Sequence, residues 1–148
     1  MTWRGKIIML TFMDSCFFVA LLNNRDEKHV DAKKILSILR NNQYGALVTT
    51  DYIVDEVLTT IWGHTHRKDF VINAYSIICK KPEFVQFKKI TDQHFSLSWQ
   101  KWEQIAEWPK KPLSFTDCTV LAFMELEKVE NLVTFDTEFD GLVNILKI

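Results

Sequence analysis

The chain has 148 residues, 47% of them hydrophobic and 25% charged, with a formal net charge of -1. That length suits one domain over residues 1–148, able to bury roughly 70% of the unfolded chain's surface without disulfides or a structural metal. Its 13% aromatic content, with only four Gly and three Pro, excludes disordered and collagen-like classes, and the near-neutral charge gives no global argument for nucleic acid.

The N-terminus imitates a secretion signal, because Arg4 and Lys6 precede an apolar run at 7–13 and residues 16–22 are apolar again. Asp14 splits that run and no small-x-small cleavage site follows, so the expectation is a cytoplasmic protein with no membrane segment. Residues 7–13 contain no Gly or Pro and predict a buried strand, stopped at Asp14-Ser15, where a helix to about Leu22 begins. Asn23-Asn24 breaks that helix, and Asp26 is positioned to cap the next. There Ala32, Ile35, Leu36 and Leu39 fall at i, i+3, i+4 and i+7. Residues 46–49 predict a second strand, and a helix runs from Thr50-Asp51 to Trp62, where Gly63 interrupts it. Phe70, Ala74, Ile77 and Ile78 mark another helical stripe.

Residues 84–90 predict a third strand, disturbed by Lys88-Lys89. Thr91 can cap a helix carrying Phe95, Trp99, Trp102 and Ala106 on one stripe, ended by Pro109. Ser114-Phe115-Thr116-Asp117 has capping-box spacing and opens a mostly apolar helix to about Lys128. Residues 132–135 and 143–147 predict the last strands. Strands alternating with single or paired helices imply an α/β chain, a three-layer α/β/α sandwich around a mostly parallel central sheet.

The informative feature is where the carboxylates lie. Asp14 follows the first strand, while Asp51, Asp55 and Glu56 lie in the first turns after the second. Asp117 opens the late apolar helix and Asp136 follows the strand at 132–135. In an open parallel sheet the loops at the strands' carboxyl ends share one edge, and ligands bind there. Each acid also has a plain explanation: a helix cap for Asp14, dipole complementation for Asp51, Asp55 and Glu56, half of a capping box for Asp117, a turn for Asp136. Four coincident strand ends favour a site instead. Asp55 and Glu56 flank opposite margins of one apolar stripe, so periodicity does not choose between them. Crowded carboxylates require raised pKa values or a cation, and oxygen donors without His or Cys suit Mg²⁺ or Mn²⁺, as one ion or two. Such sites serve phosphoryl chemistry.

Four segments resemble the motifs of PIN domains: Phe12-Met13-Asp14-Ser15, Thr50-Asp51-Tyr52-Ile53-Val54-Asp55-Glu56, Leu113-Ser114-Phe115-Thr116-Asp117-Cys118 and Leu132-Val133-Thr134-Phe135-Asp136-Thr137-Glu138-Phe139. In order and spacing the chain is similar to VapC-type toxins and their free-standing prokaryotic relatives from about Ile7 onward. The resemblance implies a metal-dependent endoribonuclease whose acids are Asp14, Glu56, Asp117 and Asp136, and it selects Glu56 over Asp55. It also implies in-line attack of water on an RNA phosphodiester, an antitoxin protein as a partner if the chain is a toxin, and a homodimer. Ser15, Thr116 and Thr134 are then candidates for orienting carboxylates or a water, with Asp140 an additional acid at the turn.

Other signals are weaker. His64-Thr65-His66 has metal-ligand spacing without a matching acid, and reads as an exposed loop after a helix. With Arg67 and Lys68, these histidines could touch RNA phosphate at the crevice rim. Trp99, Trp102 and Trp108 could stack bases, although helical spacing favours core or interface roles for the first two. Residues 17–22 and the stripe at 32–39 could pack on a second subunit or within the chain. Cys16, Cys79 and Cys118 form no CxxC and read as reduced packing residues. Two rival readings are a catalytically inactive PIN-like domain that binds RNA or protein, and a haloacid-dehalogenase-like phosphohydrolase. The second lacks its DxD general acid, since Cys16 stands there.

Overall fold

The computed structural model describes residues 2–3, 6–7, 9–41 and 43–146. In chain order, β1 (Thr2–Trp3) and β2 (Lys6–Ile7) form a small antiparallel hairpin. Then come β3 (Leu10–Met13), α1 (Ser15–Leu22), α2 (His29–Leu39), β4 (Ala46–Thr50), α3 (Asp51–Thr65), α4 (Lys68–Cys79) and β5 (Gln86–Lys88). The chain continues through α5 (Asp92–Ile105), α6 (Phe115–Leu126), β6 (Asn131–Val133), a 3-10 turn at Thr137–Phe139, and β7 (Asn144–Ile145). Five strands form one sheet in the order β5-β4-β3-β6-β7, every neighbouring pair parallel.

Alternation along the strands explains the layers. Leu10, Phe12 and Val48 face α5 and α6: Phe12 meets Phe123 of α6 edge-on at 5.6 Å, and Leu10 and Val48 line a cavity with His94 and Phe123. Leu47 faces the other way, into a cavity shared with Leu36 and Leu39 of α2. On that side α1 packs on α2 and α3, and α3 packs on α4. Both sheet faces are therefore covered, the expected three layers, with Phe12, Phe17, Phe18 and Phe139 fully buried between them. In α6 every residue from Asp117 to Met124 is buried, so its apolar character runs all round instead of along one stripe.

Several expectations are corrected. The first central strand begins at Leu10 rather than residue 7, because Ile7 pairs in the hairpin with Thr2. Asp26 does not cap α2. Its carboxylate accepts the Lys28 N–H in a turn of its own, and the helix starts at His29 without a side-chain cap. Gly63 does not interrupt α3, which continues two residues past it. A single Gly costs only about 1 kcal/mol in a helix otherwise held by packing. The strand expected at 84–90 is only Gln86–Lys88 at the sheet edge, and α5 stops at Ile105, four residues before Pro109. The last strand is only Asn144–Ile145, and Lys147 lies outside the described residues.

The stripe of α5 is inverted relative to expectation. Phe95, Trp99 and Trp102 are exposed, and the buried residues are His94 and Ser98. His94 is fully partnered, since its Nδ1 accepts the Thr91 N–H at 3.0 Å. That leaves Nε2 as the protonated nitrogen, donating to Glu127 Oε1 at 2.8 Å. Ser98 donates to the His94 carbonyl at 2.7 Å. Residues 17–20 and Ala32, Ile35 and Leu39 are buried within the chain itself, while Leu21, Leu22 and Leu36 are half-buried. Among the described residues no helix is long and apolar enough to cross a membrane.

Candidate active site

The strand order reverses direction at β3, the first strand of the sheet, which is flanked by β4 on one side and β6 on the other. The crevice at such a switch point, beyond the strands' carboxyl ends, is where open α/β sheets place ligands. Asp14 leaves β3 there, Asp136 follows β6, and Glu56 lies in the second turn of α3 after β4.

Asp14 is the N-cap of α1 and is buried. Its Oδ1 accepts the Ser15 N–H at 2.8 Å and its Oδ2 accepts the Thr134 hydroxyl at 2.7 Å. Burial pushes this carboxyl up to about 7, helped by the negative charges of Asp117 and Glu56 and opposed by those two hydrogen bonds. The Thr134 hydroxyl also accepts the Asp136 N–H at 3.0 Å, so a single side chain ties the first acid to the last. Ser15 Oγ donates to Glu56 Oε2 at 2.5 Å and holds that carboxylate toward the crevice. Ser15 and Glu56 open onto a groove of about 430 Å³ that also contacts Cys16, Thr60, His64 and Phe135.

Asp117 keeps both of its possible roles. Its Oδ2 accepts the Ser114 N–H at 2.9 Å and its N–H donates to Ser114 Oγ at 3.0 Å, a reciprocal capping box. The carboxylate also accepts a hydrogen bond from the Glu138 carboxyl; burial, with the Asp136 charge adding to it, raises its pKa against the hydrogen bonds from Ser114 and Glu138. Asp117, Asp136 and Glu138 each place one oxygen so that all three lie within 4.8 Å of one another. The sequence reading did not select Glu138. Asp136 caps the 3-10 turn by accepting the Glu138 N–H at 2.9 Å, and that turn folds the chain back so that Glu138 returns to the same crevice. The Asp136-x-Glu138 spacing before a tight turn was the available signal. Burial, then the charge of Asp136, lifts Glu138 to about 7.

The remaining candidates divide. Thr116 is joined through its backbone carbonyl, which accepts the Thr119 hydroxyl at 2.6 Å. Asp140 is exposed, and its carbonyl accepts the Lys111 ammonium at 3.0 Å. His64 and Thr65 belong to the last turn of α3 and His66 is its left-handed C-cap (φ 54°), so this segment is a helix end and not a loop. His64 lines the groove beside Glu56, Arg67 pairs with Asp69 at 2.7 Å, and Lys68 begins α4. Cys16 is more than packing. Its sulfur accepts the Phe135 N–H at 3.2 Å and lies 3.2 Å from the Thr134 hydroxyl; burial pushes the thiol up to about 12, with the Asp14 charge adding to the effect. At the end of β4 the Thr50 hydroxyl is buried with no hydrogen-bond partner.

Residues 11–143 match the PIN domain family. The chain belongs to that family. This PIN domain is 24% identical over 132 residues to the 23S rRNA-specific endonuclease VapC20 of Mycobacterium tuberculosis, covering 89% of this chain and 93% of the relative. The VapC20 crystal structure, a sarcin–ricin loop cleaving toxin, superposes with a TM-score of 0.71 at 24% identity over 88% of this chain and 93% of that one. A toxin–antitoxin complex from Klebsiella pneumoniae superposes with a TM-score of 0.64 at 17% identity, covering 93% and 96% of the two chains. VapBC-1 from nontypeable Haemophilus influenzae gives 0.65 at 19% identity, covering 94% and 98%. The PIN fold displaces the haloacid-dehalogenase alternative.

Proposed function

We propose that this PIN domain is a metal-dependent endoribonuclease that hydrolyses RNA phosphodiesters. The observation carrying the proposal is the oxygen-only cluster of Asp117, Asp136 and Glu138 beside a buried Asp14, all at the switch point of the sheet. The donor set fits Mg²⁺ or Mn²⁺: the donors are hard oxygens, and the raised pKa values of Asp14, Asp117 and Glu138 mark carboxylates that a cation would relieve. Asp117, Asp136 and Glu138, with Asp14 and Glu56 beside them, are the residues that would hold it. When bound, such an ion polarises a phosphoryl oxygen and lowers the pKa of water.

The protein's own contribution is orientation. Thr134 fixes Asp14 and the Asp136 backbone together, Ser114 fixes Asp117, and Ser15 fixes Glu56. Preset carboxylates of this kind save the cost of gathering charges when substrate arrives. The similarity to VapC20 supports RNA as substrate and makes 23S rRNA the first substrate to test, and the likeness to toxin–antitoxin complexes supports a protein antitoxin as partner. A cytoplasmic location and a homodimer belong to the same proposal. Cleavage of a structured RNA pool by the wild type with Mn²⁺, with EDTA and with Asp117→Asn tests it. Loss of cleavage in both controls is expected; cleavage surviving both refutes it.

A further inference from the structure

An exposed aromatic stripe borders this crevice and the four-acid chemistry does not use it. Helix α5 crosses α6. His94 and Lys101 reach the far end of α6, at Phe123, Glu125 and Glu127, whereas Phe95 and Trp102 reach its beginning, at Phe115 and Leu113. The face of α5 bearing Phe95, Trp99 and Trp102 is therefore turned toward the end of α6 that carries Asp117. Phe95 meets Phe115 edge-on at 5.2 Å, and Phe115 meets Tyr52 of α3 at 6.4 Å, one helical turn from Glu56. Trp99 and Trp102 stack at 5.5 Å, 17° from parallel. The Trp102 indole N–H donates to the Leu113 carbonyl at 3.1 Å, immediately before the Ser114–Asp117 capping box. Lys111, on the same connection, lies within the field of Glu138.

We propose that this rim is a stacking track for the unpaired bases of single-stranded RNA, holding the strand so that a phosphate reaches the Asp117 cluster. The proposal rests on the ribonuclease reading above and names how the substrate is gripped. Four features favour RNA over a protein partner. The track is continuous with the acid crevice from Tyr52 to Trp102. Its exposed neighbours on α5, among them Asp92, Ser96, Gln100 and Glu103, are polar or acidic and not the apolar ring that would keep a protein interface dry, so the grip on RNA would come from stacking on the bases. Phe95 to Trp102 spans about 10 Å of helix, room for about three bases at ~3.4 Å spacing. Lys111, whose ammonium donates to the Asp140 carbonyl and acts on Glu138, supplies positive charge for the backbone at the crevice end.

The test uses EDTA, so that binding is read apart from cleavage, with a labelled ten-residue oligouridylate, an abasic oligomer of equal length, and the variant Trp99→Ala. Trp99 is half exposed and stacks on Trp102, so folding, checked by circular dichroism, is expected to survive its loss. Oligouridylate binds the variant about tenfold more weakly, the abasic oligomer binds both proteins alike, and oligouridylate quenches tryptophan fluorescence of the unaltered protein. Should Trp99→Ala not fold, that quenching, absent with the abasic oligomer, carries the test. Unchanged affinity with no quenching overturns the track, and so does lost affinity accompanied by a change in sedimented mass, which makes the stripe an interface between protein chains. Wild-type cleavage of RNA in Mn²⁺ alongside unchanged Trp99→Ala binding refutes the track alone. Trp99-dependent binding with no cleavage refutes the nuclease reading alone.

Discussion

Asp14→Asn in the metal-free protein should make the fold less sensitive to pH, and more stable above neutrality. The Asp14 carboxyl rises from 3.8 to about 7 on folding because it is buried, with Asp117 and Glu56 adding negative charge. The folded protein thus holds a proton that the unfolded chain has already released, so stability falls as pH rises from about 4 to about 7 and is level above that. At about 1.4 kcal/mol per pH unit the full effect is about 4 kcal/mol, of which about 2–3 kcal/mol falls between pH 5 and 8.5. Asparagine keeps one acceptor for the Ser15 N–H and turns an amide toward Thr134, at a cost of about 1 kcal/mol for the altered hydrogen bond. The variant should be about 0.5 kcal/mol more stable than the wild type at pH 5 and about 3 kcal/mol more stable at pH 8.5. Glu138 and Asp117 titrate in the same direction and remain in both proteins, so the difference between the two curves isolates Asp14 and its coupling to them. Urea unfolding in EDTA across that range measures it. A difference that stays constant with pH would refute the assignment of the buried charge to Asp14.

Thr134→Val keeps the shape of the side chain but removes the hydroxyl shared by Asp14 and the Asp136 backbone. It should cost about 1–3 kcal/mol in urea unfolding and lower kcat for RNA cleavage at least tenfold with little change in KM. Glycine substitutions should part sharply. Gly45 sits at φ +72° with the Met9 carbonyl oxygen 2.0 Å from where a Cβ would lie, so Gly45→Ala should lower Tm by many degrees, while Gly63→Ala meets open space inside α3 and should stabilise by about 0.5–1 kcal/mol. Cys16, pushed to about 12, should resist iodoacetamide at pH 8 in the folded protein; mass spectrometry that finds it alkylated before unfolding would contradict its burial beside Asp14.

Periodicity located the sheet and most helices because those elements bury a face. It erred where the buried face is polar or where burial is short. On α5 the larger apolar residues Phe95, Trp99 and Trp102 point outward, while His94 and Ser98 are buried, because a Thr91 cap and the Glu127 carboxylate satisfy the imidazole. No hydrophobicity pattern anticipates a core position filled by a histidine whose partner lies 33 residues away. Asp26 failed as a cap for a similar reason. An aspartate can satisfy a turn as readily as a helix start, and here it takes the Lys28 N–H two residues on.

The placement of Asp14, Glu56, Asp117 and Asp136 was legible because strand ends of a parallel sheet converge, whatever the side chains between them. Glu138 was not, because its approach depends on the 3-10 turn that Asp136 caps, a reversal with no hydrophobic signature. The same distinction applies to the plain explanations of these acids. Asp14 and Asp117 do cap helices, and capping is what aims them: each gives one oxygen to a backbone N–H at a helix start, while the carboxylate also meets Thr134 in the first case and Glu138 in the second. A structural role at these positions is therefore compatible with the proposed chemical one. If capping alone accounted for Asp117, Asp117→Gln, which keeps the acceptor of the capping box without the charge, would preserve both stability and any RNA cleavage; in the nuclease reading it preserves only stability, and the separation of those two measurements decides between them.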